Sequence, residues 1–419
     1  MSVTVSQVHA VEILDSRSRP TLAVTLETDA GQHVRAGVPA GASTGTREAV
    51  ELRDHDPHRY SGQGVLQAVQ SVNGEILDRL RGQTFDGPSD LDHALIELDG
   101  TENKSRLGAN AIVGVSIAAA RAFAETAGVP LWKHLSGEVA EPRMPVPHFN
   151  VINGGVHALN ELDFQEFMIA PLGAPSIAEA VRAGSEIYGA LRALLHGRGM
   201  SVGLGDEGGF APEIAQPEEA LDLLVEAIRT AGYTPGRDGV AIAMDPASSE
   251  FYHDGAYRVA GQDFTSDQMI DRYADIVERY PVWLLEDGLA ESDWDGWQRL
   301  TERLGDTVEL VGDDIFCTNP KIIAEAITKG VGNASLIKVN QIGTVTETLD
   351  AMRVARDGGY AQFVSHRSGE TEDAFIADLT VGSGSGHLKS GAPARGERVA
   401  KYARLVEIED VTDLPYGLR

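Results

Sequence analysis

Cysteine is nearly missing from this chain: Cys317 is the only one in 419 residues. A single thiol cannot close an intramolecular disulfide, which fits a reducing compartment, and a lone cysteine in apolar surroundings reads as a small core residue. Cationic charge is also scarce. Lys and Arg number 35 against 63 Asp and Glu, for a formal net charge of -28. That balance argues against a phosphate backbone or an anionic membrane as the main partner, although a locally basic site can still take a small anion. No apolar run approaches membrane-spanning length. The start, "MSVTVSQVHA", has no basic segment followed by an apolar stretch, so no signal peptide is expected. These absences lead to an expectation of a soluble, cytoplasmic protein with no nucleic-acid and no membrane partner. With 42% hydrophobic and 23% charged residues, the chain can bury a proper core. Its length suits two domains, or one large domain with a smaller one attached.

Residues 1–36 alternate in polarity and carry turn signals, "DSRSRP" and "TDAGQ", which predicts a small antiparallel meander. From about Arg47 to Leu135 the pattern turns helical, most clearly in "NAIVGVSIAAARAFAETAG", whose last glycine suits a C-cap. The Pro-rich "EPRMPVPHFN" (141–150) reads as a linker. Beyond it, helical segments alternate with short apolar strands, a pattern that implies a parallel sheet, open or closed.

The strand ends carry the chemistry. In order they are "VAIAMD", "VWLLED", "VELVGDD", "SLIKVN", "QFVSHR" and "GHLKSG", each an apolar run ending in one ionisable residue. Those residues are Asp245, Glu286, Asp313, Lys338, His366 and Lys389, separated by 41, 27, 25, 28 and 23 positions. Such gaps match one strand–helix unit, and parallel strands bring their C-terminal ends to one face. Any one of these residues could be a structural ion pair. Six in phase point instead to a shared pocket.

Three carboxylates crowded there, Asp245, Glu286 and Asp313, would repel without a cation. Oxygen ligands with no cysteine favour Mg²⁺. Lys338 and Lys389 share the pocket, and burial beside a cation lowers a lysine pKa, which is how a lysine becomes a general base. A metal next to such a base suits removal of a proton adjacent to a carboxylate, an arrangement already known as a general pattern. Within the doublet Asp313-Asp314, one residue could bind metal and the other orient Lys338. "GLGDEGGFAP" sets Asp206 and Glu207 among close-approach glycines. "NVINGGVHALNELDFQEFMI" does the same for His157, Gln165 and Glu166, and a Glu beside another Glu can be held protonated and act as an acid. His366, Arg367 and Ser368 form a cradle for a phosphate or carboxylate. The small-residue loop "PAGASTGTRE" (39–48) could close over the site.

With "GASTG", "NGGVHA", "QEFMIAP", "GDEGGFAP", "LVGDDIF", "KVNQIG", "SHRSGETED" and "KSGAPARGERVAKY" in place, the chain resembles the enolase family (phosphopyruvate hydratase) along nearly its whole length. "APARGERVAKY" looks most like actinobacterial members. The resemblance implies a smaller α+β N-terminal domain (1–135) followed by an atypical TIM-type α/β barrel (145–419), so the fold class expected is α/β. It implies dehydration of 2-phospho-D-glycerate to phosphoenolpyruvate, with Lys338 as the base. Glu207, with Glu166 beside it, matches the acid side that helps the C3 hydroxyl leave. Asp245, Glu286 and Asp313 match the ligands of a structural Mg²⁺, and Ser43 a lid serine that helps bind a second Mg²⁺ with substrate. Lys389 matches a substrate-carboxylate contact, Arg367 and Ser368 the phosphate contacts, and His157 and His366 loop and pocket histidines. Gln165 belongs with the substrate-binding set.

Several positions depart from the family pattern. Ser18 and Arg19 stand for Gly and Asn in "DSRGNPT", Ala40 for the serine opening the lid motif, and Leu284 for a small polar residue; Pro246 directly follows Asp245. Ala23 and Glu407 replace both halves of an ion pair that crosses the family's dimer interface. The expectation is a homodimer or higher homo-oligomer with an altered interface. An alternative from the same resemblance is a paralogue of phosphonate metabolism, similar to carboxyphosphonoenolpyruvate synthase, taking a phosphonate in place of the phosphorylated carboxylate. Ser18, Arg19 and Leu284 are the residues that would favour it. A catalytically silent binding protein on the same fold would have lost a metal carboxylate, and none is lost.

Overall fold

A computed structural model describes residues 2–42, 44–137 and 141–418. The predicted meander forms as β1 (Val3–Leu14), β2 (Pro20–Thr28) and β3 (His33–Gly37), and a two-residue β4 (Thr84–Phe85) adds to the free edge of β1. Alternate residues Val5, Val8, Ala10, Leu22, Val24 and Leu26 are buried, as one face of an antiparallel sheet should be. That face packs on the helix Ala109–Ala127, where Gly114 lies so close to β2 that an added Cβ would sit 2.6 Å from Val24. The helix stops where predicted, at Gly128 in the left-handed region (φ 66°). The helical pattern does not begin at Arg47, however. The first α-helical turn starts at Leu66, because the Asp54 side chain accepts the backbone N–H groups of Leu66 and Gln67 and ends an irregular stretch there.

Eight strands close a barrel: β5 (Val146–Asn153), β6 (Glu166–Ala170), β7 (Ala241–Asp245), β8 (Val282–Glu286), β9 (Glu309–Gly312), β10 (Ala334–Ile337), β11 (Ala361–Ser365) and β12 (Gly386–Lys389). The expected architecture, a smaller mixed domain and then a barrel, is the one that folds. Two readings need correction. Residues 141–150 are not simply a linker, since Val146–Asn150 belong to β5 and are fully buried. Pro147 is tolerated there because pairing with β6 begins only at Phe149. The sheet is also not all parallel: β6 runs antiparallel to both β5 and β7. The β5–β6 connection, residues 154–165, holds only a single 3₁₀ turn and is too short for a helical crossover. Reversing β6 has a consequence for the site: its first residue, Glu166, arrives at the mouth where the other strands end, paired in register with Asp245.

Candidate active site

Because strands alternate their side chains, residues two apart on one strand stack along the barrel axis. Lys338 follows β10 immediately, Asp313 follows β9, and Asp245, Glu286 and Lys389 are the last residues of β7, β8 and β12. All six strand-end residues, with Glu166 from the reversed strand, converge and are buried. Lys338, central to this group, is 8% exposed.

Two lysines organise the carboxylates. Lys389 Nζ donates to Glu286 Oε1 (2.7 Å), Asp245 Oδ2 (3.3 Å) and Glu166 Oε1 (3.3 Å). Lys338 Nζ donates to Asp313 Oδ2 at 2.5 Å. Burial alone would lower both ammonium pKa values, but their carboxylate partners outweigh it and hold both above the ordinary lysine range. The lowered pKa expected of Lys338 is therefore not what the protein's own groups produce. The doublet also divides its work differently. Asp313 itself pairs with Lys338, and the Asp313–Asp314 backbone is held by Asp287, which accepts both amide N–H groups (2.9 and 3.0 Å).

On the opposite wall, Glu207 accepts from Asn150 Nδ2 (3.0 Å) and Ser368 Oγ (3.4 Å), and His366 Nε2 stands 3.3 Å from it. His157 Nε2 meets Ser368 Oγ at 2.7 Å, while its Nδ1 lies 3.7 Å from Glu207. The two glutamates are driven apart. Burial and the nearby Glu207 charge push the Glu166 carboxyl well up, which favours its protonated form. Burial also opposes ionisation of Glu207, yet His366, His157 and Arg398 overcome it and keep it a carboxylate. His366, lowered to about 3 chiefly by burial, is neutral and accepts at Nδ1 from Arg398 Nη1 (2.5 Å). Asp206, flagged with Glu207, is not part of this wall; its carbonyl accepts from Arg395 (2.9 Å). The glycines around it are required sterically, since a Cβ on Gly205 or Gly209 would sit 2.7 Å from Asn153.

His157, Gln165, Glu166, Glu207, Lys338, His366, Arg367, Ser368 and Lys389 line one cavity. From the 39–48 segment, Ala40 exchanges backbone hydrogen bonds with Gly369, next to the cavity residue Ser368 (2.8 and 2.9 Å). Ser43, the candidate for a second metal, falls outside the described residues. Cys317 is a buried core residue whose thiol burial pushes up. Sequence reasoning missed Glu48, Gln341, Asn150, Asp287 and Arg398. Only Asp287, adjacent to Glu286 in "LLEDG", had a signal within reach of the spacing argument.

The donor set fits a hard cation. Asp245, Glu286 and Asp313 are buried, Glu286 Oε2 has no hydrogen-bond partner, and burial with the Asp245 charge pushes the Glu286 carboxyl well up. Among the described residues, the groups whose ligand atoms all lie within 4.8 Å of one another are His157, Glu166, Glu207 and Asp287, Asp313, Asp314; of the expected ligands Asp245, Glu286 and Asp313, only Asp313 is in either. None of Ser18, Arg19 or Leu284 lines the cavity. Leu284 is packed inside the barrel with Val146, Met168 and Val311. Ser18 occupies a turn at φ 60°, where glycine is the unstrained choice.

A family model described as "Enolase, N-terminal domain" matches residues 5–135, and one described as "Enolase, C-terminal TIM barrel domain" matches 141–414. A curated protein from Acidothermus cellulolyticus, named "Enolase", is 56% identical over 409 residues, covering 98% of this chain and 95% of that protein.

Proposed function

This chain belongs to the enolase family and is an enolase-type hydro-lyase, and we propose that it dehydrates 2-phospho-D-glycerate to phosphoenolpyruvate with the residues assembled above. The observation that carries this reading is the pair of buried lysines held by the strand-end carboxylates, Glu166 among them, with Glu207 on the facing wall. Once its ammonium has given up a proton, Lys338 Nζ, as the neutral amine, takes the C2 proton. The C3–O bond then breaks, C2=C3 forms, and the departing hydroxyl receives a proton from the Glu166–Glu207 pair and leaves as water. Lys389 faces the substrate carboxylate, Arg367 and Ser368 the phosphate; Gln165, His157 and His366 complete the wall and exclude water.

Asp245, Glu286 and Asp313 would hold Mg²⁺, which when bound supplies positive charge against the carboxylate as it gains electron density and competes with Lys338 for Asp313. A second Mg²⁺ with substrate, through Ser43, belongs to the same proposal. So do the division of the chain into 1–135 and 145–419, and a cytoplasmic location. No helix among the described residues is long and apolar enough to cross a membrane. We place the protein as a homodimer or higher homo-oligomer without the family's Glu–Arg contact, since Ala23 is buried in β2 and Glu407 is exposed beside Arg404 (3.4 Å). The phosphonate alternative is not favoured: the match to an enolase runs along the whole chain, and the residues that would have supported it lie away from the cavity.

The test is a steady-state assay with 2-phosphoglycerate and Mg²⁺, following phosphoenolpyruvate. Turnover of about 1–10³ per second is expected; absence of turnover from folded, Mg²⁺-supplied protein would overturn the reading.

A further inference from the structure

Glu48 is the one carboxylate of the 39–48 loop that reaches the cavity's anion-facing arginine. Arg367 is 4% exposed, and its Nη1 and Nη2 donate to Glu48 Oε2 (2.9 Å) and Oε1 (3.0 Å) as two parallel bonds. Two such bonds fix the plane of a guanidinium, which a single contact does not. Asn340 Oδ1 accepts from the same Nη1 at 3.0 Å. Glu48 Oε1 accepts in turn from Gln341 Nε2 (3.3 Å), whose other contact is Asp313 Oδ1 (2.8 Å). Thr318 Oγ1 holds Gln341 Oε1 (2.7 Å) and also the Lys338 amide (2.9 Å). The turn after Lys338, "KVNQIG", thus ties the loop carboxylate and the arginine to the aspartate that pairs with the base.

We propose that Glu48 is a positioning residue: it fixes the plane in which the Arg367 guanidinium meets the substrate phosphate, with Asn340 and Gln341 bracing the pair. The proposal rests on Arg367 being the phosphate contact. The physical alternative has the opposite sign. If Glu48 merely competed with phosphate for a mobile arginine, removing its charge would strengthen anion binding.

A double-substitution cycle decides between them, with Glu48→Gln, Arg367→Lys and both together. Two readouts are taken: calorimetric binding of inorganic phosphate, and KM and kcat for 2-phosphoglycerate. The proposal predicts at least tenfold weaker phosphate binding in Glu48→Gln, with KM rising by a similar factor and kcat falling less than about threefold. It predicts that the double variant is no worse than Arg367→Lys alone, because Glu48 acts through the arginine. Glu48→Asp, which keeps the charge, should recover part of the lost affinity. Unchanged or tighter phosphate binding in Glu48→Gln would overturn the proposal, as would additive losses in the double variant. Because the phosphate arm needs no turnover, these results read independently of the assigned reaction. Failure of that reaction would show in the wild-type kinetics instead.

Discussion

The two ends of the barrel are built from the same eight strands and obey opposite rules. At the mouth, Lys389 alone holds Glu166, Asp245 and Glu286, and carboxylates outnumber their cations. At the floor, His148 and His387 sit among Trp283 and Phe363, with ring centroids 4.6–5.7 Å apart. His148 Nε2, His387 Nδ1 and Trp283 Nε1 have no hydrogen-bond partner there. Burial and the neighbouring His387 keep His148 neutral. The mouth concentrates charge that a substrate and a cation can use, whereas the floor is an aromatic plug that tolerates a few unmet polar atoms. Reactivity follows from the surplus charge, and the floor supplies the rigid base beneath it.

Substitutions at the two ends should therefore separate function from stability. The largest effect is expected for Lys338→Ala. Loss of one general base should lower turnover by roughly 10²–10⁴-fold with the circular dichroism spectrum and melting curve retained. Near-wild-type turnover would place the base elsewhere.

Next comes the cation. Saturating Mg²⁺ should raise the wild-type melting temperature, as any ligand of the native state does, by about 2.7 kcal/mol of stability at a hundredfold excess over Kd. In Glu286→Gln most of that gain should vanish, read in the same thermal scan with no activity measurement. An undiminished Mg²⁺ response would remove Glu286 from the ligand set.

The smallest effect belongs to the floor. His148→Leu replaces an imidazole with an unmet nitrogen and should stay within about 1 kcal/mol of wild type at pH 7, with turnover unchanged. Its signature is in pH. A histidine lowered in the folded state binds its proton only on unfolding, so stability from its neutral form is full above the unfolded value near 6.5 and declines below it. Wild type should accordingly lose stability relative to His148→Leu between pH 6.5 and 4.5. Parallel curves would show that His148 titrates normally.

Much of the site was legible because strand periodicity puts one ionisable residue at each parallel strand end, so Asp245, Glu286, Asp313, Lys338, His366 and Lys389 could be aligned by spacing alone. Glu166 was reached through its neighbouring motif, and its route into the pocket was not: an apolar run looks the same whichever way the strand points. The bracing residues escaped for another reason. Glu48 acts across a gap of 319 positions, and Arg398 holds the carbonyls of Arg367 and Ser368 (2.6 and 2.5 Å) from within an ordinary helix pattern. Such contacts are set by tertiary packing, to which local pattern is blind. For Lys338, burial and a neighbouring cation were weighed without Asp313 at hydrogen-bond distance, which among the protein's own groups outweighs burial.

The central claim is that proton removal at C2 belongs to Lys338 and hydroxyl departure to the glutamate pair. It is tested most directly by following exchange of the C2 proton of 2-phosphoglycerate into deuterated water by NMR, with Mg²⁺ present, in wild type, Lys338→Ala and Glu207→Gln. Exchange should persist in Glu207→Gln, even as phosphoenolpyruvate formation fails, and disappear in Lys338→Ala. Exchange that survives without Lys338, or that is lost only with Glu207, would contradict the assignment of the two walls.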